Sequence, residues 1–163
     1  MLRGKEVVLG VTGGIAAYKA VEIVSRLRKA GAKVHVIMTK SATEFVTELT
    51  FREISGNPVA QDMWAPVQQW NVEHIALAKL ADLFLLAPAT ANVLAKAACG
   101  IADDLLTTTL LATKAPVFFA PAMNSAMYEN VVTQENIAKL KQRGWQEIAP
   151  ESGVLACGTS GKH

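Results

Sequence analysis

Apolar and polar positions along this chain switch repeatedly between two periods. Glu6 to Thr12 (EVVLGVT) is an apolar run of strand length, followed at once by Gly13-Gly14. From Ala16 to Ala30 the spacing becomes helical, with Ala17, Ala20, Val21, Val24 and Leu27 on one stripe and Gly31 as the stop. Lys33 to Thr39 (KVHVIMT) alternates and predicts a second strand. Ser41 to Leu49 predicts a short helix, whereas residues 50 to 72, with Gly56, Pro58, Trp64, Pro66 and Trp70, hold no regular period. Glu73 to Leu80 reads as helix and Asp82 to Ala87 (DLFLLA) as the most apolar strand. Helices over 91–99 and 103–112, a strand over 116–120, a helix from Thr133 to Arg143 and a short strand from Trp145 to Ile148 complete the pattern. The tail, Glu151 to His163, has two Gly-rich turns without a period and reads as a loop.

Such alternation of strand and helix is the pattern of a parallel sheet covered on both faces. The expected fold is therefore a three-layer α/β domain, Rossmann-like or flavodoxin-like. A length of 163 residues suits one domain, and neither a repeat nor a linker interrupts it.

Composition adds an expectation of assembly. Hydrophobic residues make up 51% and charged residues 18%, which is apolar for a chain of this size. A sheet buried on both faces absorbs part of the excess, and helix faces buried between subunits absorb the rest. No apolar run approaches the ~18 residues of a membrane span, and residues 1–10 lack the layout of a signal peptide. Cys99 and Cys157 form neither a disulfide framework nor a zinc spacing, which fits a reducing cytoplasm. The net charge of +2 is dispersed, so nucleic acid is not implied.

Candidate chemistry gathers in four segments that each follow a strand: TGG (12–14), TKS (39–41), PATAN (88–92) and PAMN (121–124). In a parallel sheet these segments share one edge, where open α/β sheets bind ligands. Gly13-Gly14 lets backbone amides approach a ligand, or simply makes a tight strand-to-helix turn. Thr90 and Asn92 can hold a phosphate monoester at a helix start, or Thr90 can cap that helix. Together the two donor clusters favour a mononucleotide, although neither matches the dinucleotide fingerprint or the phosphate loop. His74 reads as structural or functional, Asn124 as helix cap or ligand contact, and Cys99 as a packing residue. Cys157 lies in a Gly-rich segment with no need of a small core residue.

Six motifs then make a resemblance: VTGGIAAYK (11–19), MTKSA (38–42), VEHIAL (72–77), ADLFLLAPATAN (81–92), APAMNSAMY (120–128) and GVLACGTSGK (153–162). In this order they resemble the homo-oligomeric flavin-containing cysteine decarboxylases, above all the branch acting on 4′-phosphopantothenoylcysteine in coenzyme A biosynthesis. The resemblance implies FMN held by Gly13, Gly14, Ile15, Thr39, Ser41, Thr90, Ala91, Asn92, Val93 and Ala122. It makes His74 the active-site histidine and Asn124 the substrate-binding asparagine. Met127, Ala156 and Gly158 become further substrate contacts, and Cys157 the proton donor of a clamp loop. The family pattern usually ends in tryptophan where this chain has Tyr128.

The implied reaction is FMN-dependent decarboxylation to 4′-phosphopantetheine, in a homotrimer or trimer-based dodecamer. Residues 1–163 would be one decarboxylase domain, with 151–163 as the clamp. The ending at Lys162-His163 reads as a truncation ahead of a phosphopantothenate-cysteine ligase domain. Three alternatives share the fold: a peptidyl-cysteine decarboxylase, a flavin prenyltransferase and a non-catalytic flavin-binding regulatory subunit. Cys157 weighs against the first, the PAMNSAM and LACG segments against the second, and Asn124 with Cys157 against the third.

Overall fold

The computed structural model describes residues 2–61, 70–149, 153–154 and 160–161, without the side chains of 70–74 and of the last two pairs. Five strands form one parallel sheet: β1 (Glu6–Val11), β2 (Lys33–Met38), β3 (Leu83–Ala89), β4 (Val117–Pro121) and β5 (Gln146–Glu147). Their order is β2-β1-β3-β4-β5, so the chain starts in the middle, builds one side, and crosses over to build the other. This is the expected three-layer, flavodoxin-like arrangement.

The strands are apolar on both faces because both faces are covered. Along β1, Val7, Leu9 and Val11 enter one core with α1 (Ala17–Lys29) and α2 (Glu48–Ser55). Val8 enters the opposite core, beneath α4 (Ala91–Cys99), α5 (Leu105–Ala112) and α7 (Val131–Gln142). Helix α3 (Trp70–Leu80) packs on α5. Gly10 has a steric reason: a Cβ there would come within 2.6 Å of Leu106 Cδ1 on α5.

The structure departs from expectation in four places. The region 41–49 opens with a 3-10 turn, Ser41–Glu44, and regular helix begins only at Glu48, running to Ser55 and so into the start of the stretch expected to be irregular. Thr47 makes the break, its hydroxyl accepting the Thr50 N–H at 3.3 Å, and Gly56 at φ 74° ends α2. A second unexpected helix, α6 (Ser125–Glu129), follows β4. In the tail, β6 (Gly153–Val154) pairs antiparallel with β7 (Ser160–Gly161), where a loop was expected. Two-residue strands are too short to leave a period in sequence. Finally, Cys99 is exposed rather than packed. Among the described residues no helix is long and apolar enough to cross a membrane.

Candidate functional site

The segments leaving β1, β2, β3 and β4 meet at the carboxyl edge of the sheet, and a buried threonine ties two of them together. Thr12 Oγ1 donates to the Pro88 carbonyl at 2.5 Å and accepts the Thr90 N–H at 3.1 Å. Its side chain is sealed from solvent, so both bonds act in a low-dielectric setting. The turn after β1 and the start of α4 are thereby held in register.

The adjacent glycines serve different ends. A Cβ on Gly13 would overlap Ser41, lying 2.9 Å from its carbonyl carbon, so only glycine lets the loops after β1 and β2 touch. A Cβ on Gly14 would meet nothing closer than Thr90 Cγ2 at 3.7 Å. Glycine at position 14 relieves no clash within the chain; it leaves open space. Thr39 Oγ1 accepts the Ala42 N–H at 3.1 Å, which shapes the loop carrying Ser41. Thr90 caps α4 by accepting the Val93 N–H at 3.3 Å. The capping reading of Thr90 is thus correct. Among the described residues the amides of Ala91 and Asn92 have no partner, and they point out of the positive end of α4.

These loops frame a cleft of about 620 Å³, the size of a small-ligand site. Gly13, Gly14 and Ile15 line it from β1, Thr39 and Ser41 from β2, Thr90 to Val93 from β3, and Ala122 from β4. All ten positions singled out for FMN therefore fall in one cavity. Free helix-start amides, a vacant side-chain position at Gly14 and apolar margins from Met123 and Met127 fit a flavin monophosphate.

Sequence reading missed Lys40, Lys96, Asp103 and Asp104, which also line the cleft. Lys96 Nζ bonds Asp103 at 2.9 and 3.1 Å, and that bond holds the Asp103 carboxyl below its ordinary range. Asp104 caps α5, its carboxylate accepting the Thr107 N–H at 2.8 Å. A signal existed for Lys96 and Asp104: Asn92 and Lys96 share a helix face at a spacing of four, and Asp-x-x-Thr is a cap pattern.

Asn124 is a helix cap. Its Oδ1 accepts the Met127 N–H at 2.9 Å at the start of α6. The cap uses one lone pair of Oδ1, and among the described residues Nδ2 donates to none. Capping and ligand binding are therefore compatible. Asn124 is exposed and Met127 is 48% exposed, so among the described residues this chain alone builds no apolar enclosure around the amide.

Tyr128, in the place of the family tryptophan, donates its hydroxyl to Glu147 Oε2 at 2.7 Å. Burial and then the Glu147 carboxylate push that phenol up to about 12. His74 lies within α3, a full turn past its start at Trp70, and its side chain is outside the description. Ala156, Cys157 and Gly158 lie outside the described residues, between the paired strands β6 and β7.

The chain belongs to the flavoprotein family, whose model matches residues 1–163. It is 52% identical over 160 residues to the coenzyme A biosynthesis bifunctional protein CoaBC of Vibrio vulnificus (strain YJ016), covering 98% of this chain and 40% of that one. The chain thus spans about two fifths of the length of the curated relatives it first matches. It is 51% identical over 159 residues to a probable phosphopantothenoylcysteine decarboxylase of Streptococcus mutans, covering 96% of this chain and 89% of that protein. Among solved structures it resembles the FMN-dependent cysteine decarboxylase SpaF, with a TM-score of 0.87, 32% identity, and coverage of 98% of this chain and 90% of that one.

Proposed function

We propose that this chain is a single FMN-dependent decarboxylase domain that converts 4′-phosphopantothenoylcysteine to 4′-phosphopantetheine in the cytoplasm. The observation that carries the reading is the convergence of all ten FMN candidates on one cleft whose apolar margin includes Met123 and Met127, the residues that flank Asn124 in the PAMNSAM segment. Similarity to the Streptococcus mutans decarboxylase supports the substrate, and similarity to SpaF supports FMN.

When bound, FMN supplies a two-electron hydride acceptor and donor. The amides of Ala91 and Asn92, with the Gly13-Gly14 turn, hold its phosphate. Nδ2 of Asn124, which has no donor partner among the described residues, donates to the substrate carboxylate beside Met123 and Met127. Excluding water from that carboxylate disfavours its charge, and loss of neutral CO₂ relieves the cost. Cys157 Sγ–H delivers the proton that completes the product, and His74 orients the substrate or handles its thiol proton.

Exposed apolar side chains, among them Ile15, Tyr18, Phe45, Leu49, Val131 and Val132, support a trimer or trimer-based dodecamer. In this reading the full-length protein also carries a ligase domain.

The experiment is to release the bound flavin by heat, identify it, and follow turnover of 4′-phosphopantothenoylcysteine by mass spectrometry. FMN, CO₂ and 4′-phosphopantetheine are the expected outcome. Absence of flavin after reconstitution, or no CO₂ from the FMN-loaded protein, overturns the reading. Cys157→Ser tests the proton donor, because a hydroxyl's pKa lies far above neutrality. That variant is expected to release CO₂ but accumulate an enethiol two hydrogens lighter than the normal product. Normal product at an unchanged rate would remove Cys157 from the role.

A further inference from the structure

We propose that Tyr128 and Glu147 form a positioning pair that sets the direction of the Asn124 amide toward the substrate carboxylate. The inference rests on the decarboxylase reading above and adds two residues to it. It begins from the shortness of α6. Five residues are far below the ~12–15 at which a helix holds itself in water, and no residue of α6 is fully buried. Its orientation must therefore come from anchors outside it.

At the near end the Asn124 side chain joins α6 only to itself. The chain before it is held by Met123 against the core and by the Ala122 N–H on the Ala89 carbonyl at 3.1 Å, which leaves the far end to fix the direction of the helix. The far end has Tyr128, whose ring packs against the core under α4, α5 and α7. Its hydroxyl donates to Glu147 Oε2 at 2.7 Å, and its carbonyl accepts Gln134 Nε2 at 2.6 Å. Glu147 is a firm post. It is hydrogen-bonded into the sheet opposite Phe119, its side chain is 12% exposed, and its second oxygen lies 3.4 Å from Lys141 Nζ.

Displacement at Tyr128 is passed to Asn124 by a short route. The Tyr128 N–H donates to the Asn124 carbonyl at 3.0 Å, and the Met127 N–H holds the Asn124 side chain. The high phenol pKa keeps Tyr128 a donor throughout the working range. A carboxylate can only accept, so the bond requires a donor at position 128. Phenylalanine keeps the ring and loses the anchor.

The test is steady-state kinetics on the FMN-loaded protein. Tyr128→Phe is expected to raise KM for 4′-phosphopantothenoylcysteine about tenfold, the worth of one misaligned charged hydrogen bond. The inhibition constant of 4′-phosphopantetheine, which lacks the carboxylate, should stay within about twofold. Glu147→Ala removes the same bond from the other side and should reproduce the rise if Tyr128→Phe does not fold. Glu147→Gln retains an acceptor oxygen and should restore KM to within about twofold of the parent. An unchanged KM in the folded variants overturns the proposal. So does a parallel rise in the product's inhibition constant, which marks general loosening. Failure of the decarboxylase reading would look different: the parent itself would release no CO₂.

Discussion

At the glycine end of the cleft, the loops that shape it are bound to one another within the chain; at the methionine end, the groups that would meet substrate stand in the open. Thr12 bridges Pro88 and Thr90, Gly13 lies against Ser41, and Thr39 and Thr90 satisfy the amides of their own loops. By contrast Asn124 is exposed, Met127 is half-exposed, and α6 is anchored at its far end by the partly buried Tyr128 and its bonds to Glu147 and Gln134. The difference teaches where precision comes from. Strand ends in a parallel sheet are fixed to each other by the ladder, so loops leaving them inherit its rigidity. A five-residue helix inherits nothing and needs anchors or a neighbouring surface.

The largest effect should follow from breaking the glycine end at its open position. Gly14→Asp introduces a carboxylate beside the proposed phosphate site, where repulsion of roughly 4 kcal/mol at 4 Å is expected at an effective dielectric of about 20. FMN affinity should fall about a thousandfold, measured by quenching of flavin fluorescence, while the unliganded protein melts as before. Loss of the fold together with binding would show that position 14, like Gly13, is needed by the chain itself.

Asn124→Asp probes the other end and reports on its enclosure. Aspartate caps as well as asparagine, so stability should hold while a charge replaces the amide donor. If the site works as open as it is in this chain, repulsion of about 1 kcal/mol lowers kcat/KM only roughly fivefold. If another copy closes it, the figure approaches 4 kcal/mol and about a thousandfold. We expect the larger loss, with FMN content unchanged. A fivefold loss would argue against closure by assembly.

Thr12→Val should act on the glycine end alone. It strands the buried Pro88 carbonyl and Thr90 amide, which costs roughly 2 kcal/mol and lowers Tm by about 4–8 °C. Thr12→Ser should keep both bonds and most of the stability. Calorimetry of the two variants decides whether the hydroxyl or the methyl group matters.

Asp103→Asn should have the smallest effect. Its lowered pKa means that the Lys96 bond favours the folded state above the ordinary value of 3.8 and loses that contribution as pH falls through the lower folded value. Because the carboxyl is solvent-exposed, melting near neutrality should barely change. The substitution should flatten the acid limb of the stability curve below pH 3.8. A large loss at neutral pH would contradict this account.

Much of the molecule is legible in its sequence. Period and apolar runs located five sheet strands and most helices, because strands buried on both faces and amphipathic helices advertise their burial in composition. Strand ends share an edge, so TGG, TKS, PATAN and PAMN could be placed at one crevice without distances, whereas the ten individual FMN positions, Ile15 and Val93 among them, came from the family resemblance. Residues 48–55 and 125–129 were not legible as helices. They are short, their stop signals resemble loop signals, and their helicity is settled by the Thr47 and Asn124 caps and by packing of Phe51 and Tyr128.

What tertiary structure alone decided is the division of labour among residues of one type. Gly13 and Gly14 are neighbours in sequence, yet one relieves a clash with Ser41 and the other leaves open space. Thr12 and Thr90 both follow strands, yet one is a sealed bridge and the other a helix cap. The hydroxyl of Tyr128 finds Glu147 across 19 residues of chain. Local sequence encodes periodicity and capping, which act over a few residues. Which loops touch, and which donor meets which acceptor, depends on contacts between distant segments that exist only after the sheet has set their register.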